Sequence, residues 1–173
     1  MQKARFRKFL SKRKQWEKIF WEQATPSTKK ILMRIAIVLG NGGGAFPPLK
    51  RLTMLGLGGK QGNGKQMISW IHEQDFVGVA DWLLHNGKEN GVYNVCSPVA
   101  VTNKAFMKSL RTSLHIPFGL PSPEWMLKIG ATIIGTEPEL ILKSRFVEPR
   151  NLVQEGFTFE FERLNEAVND LIR

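Results

Sequence analysis

The segment ILMRIAIVLG, residues 31–40, constrains the fold more than any other part of the sequence. Its apolar residues follow one another without alternation, and Arg34 is its only charged residue. A run of this kind is typical of a strand that is buried on both faces, as strands of parallel sheets are. The segment therefore predicts one continuous inner strand of an α/β protein.

The elements predicted after this strand alternate between strand and helix. QMISWI predicts a strand, and FVGVADWLLHN predicts a helix that ends at Asn86-Gly87 and is capped by Asp75 or a near neighbour. GVYNVCS predicts the next strand, and Thr102 is a favourable N-cap for the helix that follows. This order predicts an α/β fold with parallel pairing. Further helices are predicted in EWMLKIGATIIG, EPELILKS, EPRNLVQEGF (closed by Gly156) and FERLNEAVNDLIR.

The net charge of +10 is concentrated at the N-terminus. Residues 1–30 hold ten Lys/Arg and two Glu, a net charge of +8, and the other residues hold 15 basic and 13 acidic side chains, a net charge of +2. The N-terminal segment predicts an amphipathic helix whose apolar face packs on the body of the protein. The alternatives are a nucleic-acid or acidic-membrane patch, or a targeting-like extension. The apolar face comprises Phe6, Phe9, Leu10, Trp16, Ile19 and Phe20.

Two glycine-rich segments satisfy phosphate-binding patterns but lack the context that those patterns require. GNGGGA, residues 40–45, matches the dinucleotide fingerprint after a strand, yet no Asp or Glu lies between Glu22 and Glu73 to bind a ribose. GKQGNGKQ, residues 59–66, matches a P-loop up to the lysine, but Gln66 replaces the Ser/Thr that holds magnesium. We expect the second segment to form a hairpin turn.

Polar side chains crowd the point where the strand QMISWI gives way to a helix. Ser69, His72, Glu73 and Asp75 lie within seven residues. They are interpreted either as caps and packing groups or as the rim of a substrate pocket. No local metal-binding spacing is present, since the three histidines are scattered and Cys96 is the single cysteine.

The order of these motifs resembles that of an atypical extended short-chain dehydrogenase/reductase of the NAD(P)-dependent epimerase family, whose members are also labelled nucleoside-diphosphate-sugar epimerase or cell-division inhibitor. The resemblance begins near Trp16 and runs through RIAIVLGNGGGAFPPL, GLGGKQGNGKQMISWIHEQD, GVYNVCSPVAVTNKAFMKSL and EPRNLVQEGFTFEF. SWIHEQD stands at the family's His-x-x-Asp motif. The Tyr-x-x-x-Lys pair is not found, because the single tyrosine, Tyr93, is followed four residues later by Ser97.

The resemblance implies roles for individual residues. It implies substrate contacts by Ser69, Trp70 and His72 at the carboxyl edge of the sheet, where ligands of open α/β sheets bind. It also implies a supporting role for Asp75, as it does for Gly40 and Asn94. Arg34 matches an arginine of the family; either a substrate or a structural partner would compensate its charge within an apolar strand.

The resemblance implies the C-terminal part of a Rossmann-like domain with a small, mainly helical C-terminal domain. We expect a basic helix and turn over 1–28, the Rossmann-like part over 29–116 and the C-terminal domain over 117–173. The expected function is that of the substrate-side portion of an NAD(P)-dependent epimerase/reductase-like protein that is not catalytic alone and does not bind NAD(P) alone. The alternatives are a non-enzymatic or vestigial protein that self-associates, and a basic nucleic-acid-binding module.

The expected partner is a second copy or a chain that supplies the missing Rossmann half, with an unknown small-molecule substrate. We expect no membrane partner and no nucleic acid. The N-terminus lacks an apolar stretch, which favours a cytoplasmic location.

Overall fold

Two parallel strand pairs flanked by helices form the centre of the protein, for which a computed structural model describes residues 14–87, 91–122 and 144–173. In chain order the elements are α1 (residues 14–22), β1 (Ile31–Ile35), β2 (Ile37–Leu39), α2 (Phe46–Leu52), a π-helical turn (Thr53–Leu57), β3 (Met67–Ile68), β4 (Trp70–His72), α3 (Glu73–Asn86), β5 (Gly91–Val95), β6 (Val101–Thr102), α4 (Asn103–Ser113), α5 (Arg150–Gln154) and α6 (Leu164–Ile172).

Strand pairing confirms the predicted α/β class. β1 pairs in parallel with β5, so that Arg34 lies opposite Asn94. β2 pairs in parallel with β4, so that Leu39 lies opposite His72. β3 and β6 form a short antiparallel pair. The last residues of β2 and β4 therefore meet at one edge of the fold.

The segment ILMRIAIVLG does not form the single, fully buried strand that its composition predicts. It is divided at Ala36, whose backbone N–H donates to Val95 while the N–H of Ile37 donates to Ser69. β1 therefore pairs with β5, and β2 pairs with β4. No residue of β1 is fully buried, and Ile35 is 50% exposed. Among the described residues, β5 is the only strand that pairs with β1.

Two apolar clusters hold the helices against the strands. One joins β4, α4 and α6 through Trp70, Phe106, Leu110 and Val168. The other joins α3, β5 and α5. Because α6 belongs to the first cluster and α5 to the second, the C-terminal residues complete both cores.

Local capping predictions are confirmed at two helices. The Thr102 hydroxyl accepts a hydrogen bond from the backbone N–H of Ala105, which satisfies one free donor of the first turn of α4. After α5, Gly156 has a φ of +93°, a value that favours glycine. Both features depend on residues close in sequence.

The described part of the N-terminal helix contradicts the predicted packing. In α1, Trp16, Ile19 and Phe20 are 73%, 48% and 37% exposed. The partly buried side is instead formed by Glu17 and Trp21, because Glu17 pairs with Arg34 of β1. The helix is thus oriented with Glu17 towards Arg34 and its apolar stripe towards the outside.

Some predictions concern residues outside the described ranges. These are the apolar positions Phe6, Phe9 and Leu10 and the helices in EWMLKIGATIIG and, apart from Ser144, EPELILKS. The boundaries at 28 and 116 remain predictions. No helix in the described part of the chain is long and apolar enough to cross a bilayer.

Cys96 follows β5 and is fully buried, with its thiol donating to the carbonyl of Val147 at 3.4 Å. Burial, followed by the charge of Glu148, raises the pKa of Cys96 to about 12 from an ordinary value of 9.0. The thiol should therefore react with Ellman's reagent at pH 8 only after unfolding. Because the unfolded thiol loses its proton first, its contribution to stability should be complete below about pH 9 and lost as the pH rises towards 12.

Urea unfolding of the wild type and of Cys96→Ala between pH 8 and pH 11 isolates this effect from other titrating groups. A native thiol that reacts at the rate of the unfolded one would contradict the burial of Cys96.

Candidate functional site

The candidate site lies where β4 runs directly into α3. His72 ends the strand and Glu73 begins the helix, with no loop between them. The backbone of His72 is extended (φ −72°, ψ 147°), and its Nδ1 accepts a hydrogen bond from the N–H of Gln74 at 3.2 Å. The N-cap of α3 is thus His72 and not Asp75, because the first helical turn already includes Asp75.

The His72 ring is enclosed by the C-terminal part of the chain. Its centroid lies 3.9 Å from that of Phe161, and the side chain is fully buried. Since Nδ1 accepts a hydrogen bond, a neutral ring carries its proton on Nε2. Nε2 lies 3.4 Å from an Asp170 carboxylate oxygen, in a geometry that makes no hydrogen bond. The arrangement gives His72 a packing role and leaves it no solvent-facing nitrogen.

The Asp75 carboxylate binds backbone N–H groups of residues that lie far away in sequence. Its Oδ1 accepts from the N–H of Glu160 at 2.8 Å and its Oδ2 from the N–H of Phe161 at 3.0 Å. The side chain is buried, with 3% exposure. Because a buried carboxylate needs hydrogen-bond donors, these two N–H groups both satisfy Asp75 and fix the segment that leads into α6.

Ser69 and Trp70 are held by further main-chain groups. The Ser69 hydroxyl accepts from the N–H of Val147 at 2.9 Å and donates to the carbonyl of Arg145 at 3.2 Å. The buried Trp70 indole donates to the carbonyl of Val99 at 3.0 Å. The structure thus brings Ser69, Trp70 and His72 together, with their polar atoms directed at the protein's own chain. Their substrate contacts remain predictions.

The other two predicted positions in the paired strands β1 and β5 lie apart from this cluster. Arg34 forms a two-point pair with Glu17, with Nε 3.1 Å from Oε1 and Nη2 2.7 Å from Oε2. This hydrogen bonding raises the pKa of Arg34 above its ordinary value. Asn94 donates to the carbonyl of Glu148 at 3.2 Å. Arg34 therefore has the carboxylate partner that its position in an apolar strand requires.

Gly40 lies against the Glu73 carboxylate. A Cβ at Gly40 would collide with that carboxylate, and the N–H of Asn41 donates to Glu73 Oε1 at 3.3 Å. A negative charge thus occupies the start of the GNGGGA loop. The next helix, α2, has seven residues with prolines in its first turn and no side-chain cap. These features do not fit the pyrophosphate of a dinucleotide, which needs free N–H groups and no facing anion.

Sequence reasoning missed the partners that close this site. Asn41 Nδ2 donates to the carbonyl of Leu171 at 2.9 Å, which ties the glycine loop to α6. The sequence did not predict the contacts that Glu73, Asp170 and Phe161 make in the structure. Glu73 was visible as a carboxylate next to His72, whereas the other contacts span 89 residues or more and leave no local signal.

The segment GKQGNGKQ forms a turn that is held by Asn103 of α4, and it is neither a P-loop nor a hairpin. β3 follows it instead of a helix, and β3 pairs with β6, so the turn does not join two paired strands. The N–H of Gln61 donates to Asn103 Oδ1 at 2.8 Å. Gly62 and Gly64 have φ values of +57° and +72°. The hairpin prediction is wrong, because β3 pairs with the later strand β6 and not with a strand before the turn.

Two depressions on the described surface are lined by residues other than the predicted substrate residues. A depression of about 430 Å³ is lined by Pro98, Glu148, Pro149, Arg150, Val153 and Gln154. A second, of about 280 Å³, lies at the end of α4 and is lined by Lys108, Arg111, Thr112, His115, Ile116 and Pro117. Within the described ranges, no three His, Cys, Asp or Glu side chains are grouped as metal ligands.

The fold and the strand ends define a Rossmann-like α/β protein of the epimerase type. The crystal structure of human epimerase family protein SDR39U1 with NADPH superposes with a TM-score of 0.77 at 28% identity, covering 87% of this chain and 50% of that one. A nucleoside-diphosphate sugar epimerase from Corynebacterium glutamicum shares the fold, with a TM-score of 0.63 at 23% identity over 83% of this chain and 26% of the other.

Sequence comparisons place the chain within this class. Mouse epimerase family protein SDR39U1 is 31% identical over 157 residues, which are 88% of this chain and 53% of that protein. An epimerase family protein of Staphylococcus aureus is 29% identical over 92% of this chain and 52% of its own length. Residues 122–171 match the Domain of unknown function DUF1731.

These matches support the assignment of the chain to the atypical short-chain dehydrogenase/reductase epimerase family, in which it resembles the C-terminal portion. It spans about half the length of the curated relatives that it matches.

Asp75→Ala should lower the free energy of unfolding by about 3 kcal/mol, because it removes both acceptors of the Glu160 and Phe161 N–H groups. Asp75→Asn, which keeps one carbonyl acceptor, should lose about 1–2 kcal/mol. Urea unfolding measures both changes. The matched control is Asp81→Ala on the same helix, where a side chain that is 75% exposed should change stability by less than about 0.5 kcal/mol. Equal effects of Asp75→Ala and Asp81→Ala would contradict the anchoring role.

Proposed function

We propose that this chain is the substrate-side, C-terminal portion of an NAD(P)-dependent epimerase/reductase-like protein and that it is not catalytic alone. The observation that carries the proposal is the Glu73 carboxylate on the N–H of Asn41, in the glycine loop that would otherwise be the chain's candidate for a cofactor pyrophosphate. A pyrophosphate there would meet a fixed negative charge.

The burial and the hydrogen bond of Tyr93 support the same conclusion. Its side chain is 1% exposed, and its hydroxyl donates to Glu155 Oε2 at 2.7 Å. Position 97 holds a serine whose hydroxyl donates to the carbonyl of Glu162 at 3.0 Å. A buried tyrosine without a nearby lysine at that spacing is not placed to exchange a proton with a substrate.

In the proposed whole protein, this half would present the carboxyl edge of the sheet towards a ligand. The polar atoms of Ser69, Trp70 and His72 are held by main-chain groups, those of residues 147, 99 and 74 in that order. They would shape a pocket wall through position and packing, and a bound NAD(P) would supply the hydride chemistry. The residue that activates the substrate would come from outside the described residues of this chain.

Titration of the chain with NADPH and NADH, followed by cofactor fluorescence, should show no saturable binding. The human SDR39U1 protein, crystallised with NADPH, is the positive control. Saturable binding by the wild type would contradict the proposal.

Glu73→Gln makes this test sharper, because the substitution removes the charge and keeps the side-chain size. The proposal predicts that this variant also fails to bind, since the chain lacks a carboxylate for the ribose between Glu22 and Glu73. Binding by Glu73→Gln alone would mean that the loop is a competent site that the carboxylate blocks.

A further inference from the structure

The C-terminal end of α4 carries basic side chains that have no acidic partners. Lys108, Arg111 and His115 come together there on the wall of one surface depression. Residues 91–122 contain no Asp or Glu, and neither do residues 23–72, which include Gly58 beside Arg111. Within the described ranges, neither Lys108 nor Arg111 forms an ion pair with a carboxylate. The positive charge at this end of α4 is thus uncompensated by its described neighbours.

This α4 depression has the size and the donors for a single small anion. Its volume of about 280 Å³ lies below the range of roughly 300–1,000 Å³ that is typical of pockets for whole small-molecule ligands. Its lining offers an ammonium, a guanidinium, an imidazole and a hydroxyl group, all of which can donate hydrogen bonds to a phosphate oxygen. The lining residues are Lys108, Arg111, Thr112, His115, Ile116 and Pro117.

The turn after α4 weakens the repulsion that a helix C-terminus exerts on an anion. Free carbonyl groups at that end carry partial negative charge. Here the carbonyl of Arg111 accepts from the N–H of Ile116 at 2.9 Å, and that of Thr112 accepts from the N–H of His115 at 3.1 Å. Because the last carbonyls already have donors, less of their negative charge faces the α4 depression.

His115 has a backbone conformation that favours glycine. Its φ is +57°, and it is the only described residue other than glycine with a positive φ. Glycine is the usual residue where a helix ends in this way, and any other side chain there is less favourable. Residues kept in such conformations are concentrated at functional sites. The imidazole of His115 lines the α4 depression, which gives a reason for a histidine at this position.

Arg111 is held in place before any ligand arrives. Its Nη1 donates to the carbonyl of Gly58. Its side chain also packs against two glycines, since a Cβ at Gly58 or Gly119 would lie within 3.0 Å or 2.7 Å of it. The guanidinium carries further N–H donors beyond the one that Gly58 uses. An arginine fixed in this way loses little freedom when it binds an anion.

We propose that the α4 depression binds one phosphate group, either as the free ion or as part of a small phosphate ester. Lys108 and Arg111 supply the positive charge, and Thr112 and His115 supply further donors. The depression shares no lining residue with the candidate site or the glycine loop, so the proposal goes beyond the proposed function. Its test uses no cofactor, and either conclusion can therefore fail without the other.

The test is a titration of the full chain with inorganic phosphate, followed by the amide NMR signals. The ionic strength is held at about 0.15 M, where charges at a distance are largely screened. The signals of Thr112, His115 and Ile116 should shift and saturate. Lys108→Gln should weaken phosphate binding at least about threefold, because it removes a charge from the wall of the depression.

The matched control is Lys104→Gln, the same change one turn earlier on α4. Lys104 is exposed like Lys108, but it does not line the depression. The control should leave the dissociation constant for phosphate unchanged. Equal weakening by Lys104→Gln and Lys108→Gln would overturn the proposal, because it would show a general attraction of anions to a basic helix.

His115→Gly separates binding from folding. Because glycine suits a φ of +57°, the Tm should stay the same or rise, whereas phosphate binding should weaken at least about threefold. A His115→Gly variant that binds phosphate as tightly as the wild type would overturn the role of the imidazole.

A parallel titration with methyl phosphate distinguishes the two sources of the phosphate group. Binding at least as tight as that of inorganic phosphate would assign the depression to phosphate esters, and weaker binding would assign it to the free ion. Shifts that do not saturate with either probe, or that spread evenly over the amides of all exposed lysines, would overturn the proposal.

Discussion

The two hydrogen bonds from the backbone of Glu160 and Phe161 to the Asp75 carboxylate hold the described parts of the fold together. They join the first turn of α3 to the irregular segment before α6, across 85 residues. Phe161 then stacks on His72, and α6 packs its apolar face on α4. Without this anchor the N–H groups of Glu160 and Phe161 would lose their acceptors at the point where the C-terminal residues enter the two apolar cores.

The same contacts change the meaning of the polar residues at the strand ends. In an open α/β sheet, the carboxyl edge is the usual place for a ligand. Here Ser69, His72 and Asp75 direct their polar atoms at residues 74, 145, 147, 160 and 161 of the same chain. In the proposed function, side chains held in this way would shape a pocket wall without reacting, and the chemistry would depend on another part of the protein.

The sequence was informative where the cause of a structure is local. The Thr102 cap, the glycine after α5 and the strand GVYNVCS depend on neighbouring residues and were predicted. The N-cap of α3 was predicted only as Asp75 or a near neighbour, and the structure places it at His72, because several polar residues near the strand end are compatible with a cap. The resemblance to the epimerase family added the fold that local patterns alone could only suggest.

What could not be predicted depends on contacts between distant segments. The strand breaks at Ala36 because β1 and β2 pair with different strands, β5 and β4. The outward stripe of α1 accompanies the Glu17–Arg34 pair, a contact that amphipathic periodicity does not reveal. Nor does the sequence show that Glu73 lies on the glycine loop, 32 residues away. In each case the deciding partner lies more than a dozen residues away.

Native-state hydrogen exchange of the Glu160 and Phe161 amides tests the central claim most directly. If Asp75 anchors the C-terminal segment, both amides should exchange as slowly as amides in the middle of α4, because they open only when the core does. Exchange at the rate of unprotected backbone, with α4 still protected, would show that the segment is not fixed to Asp75 and would contradict the account.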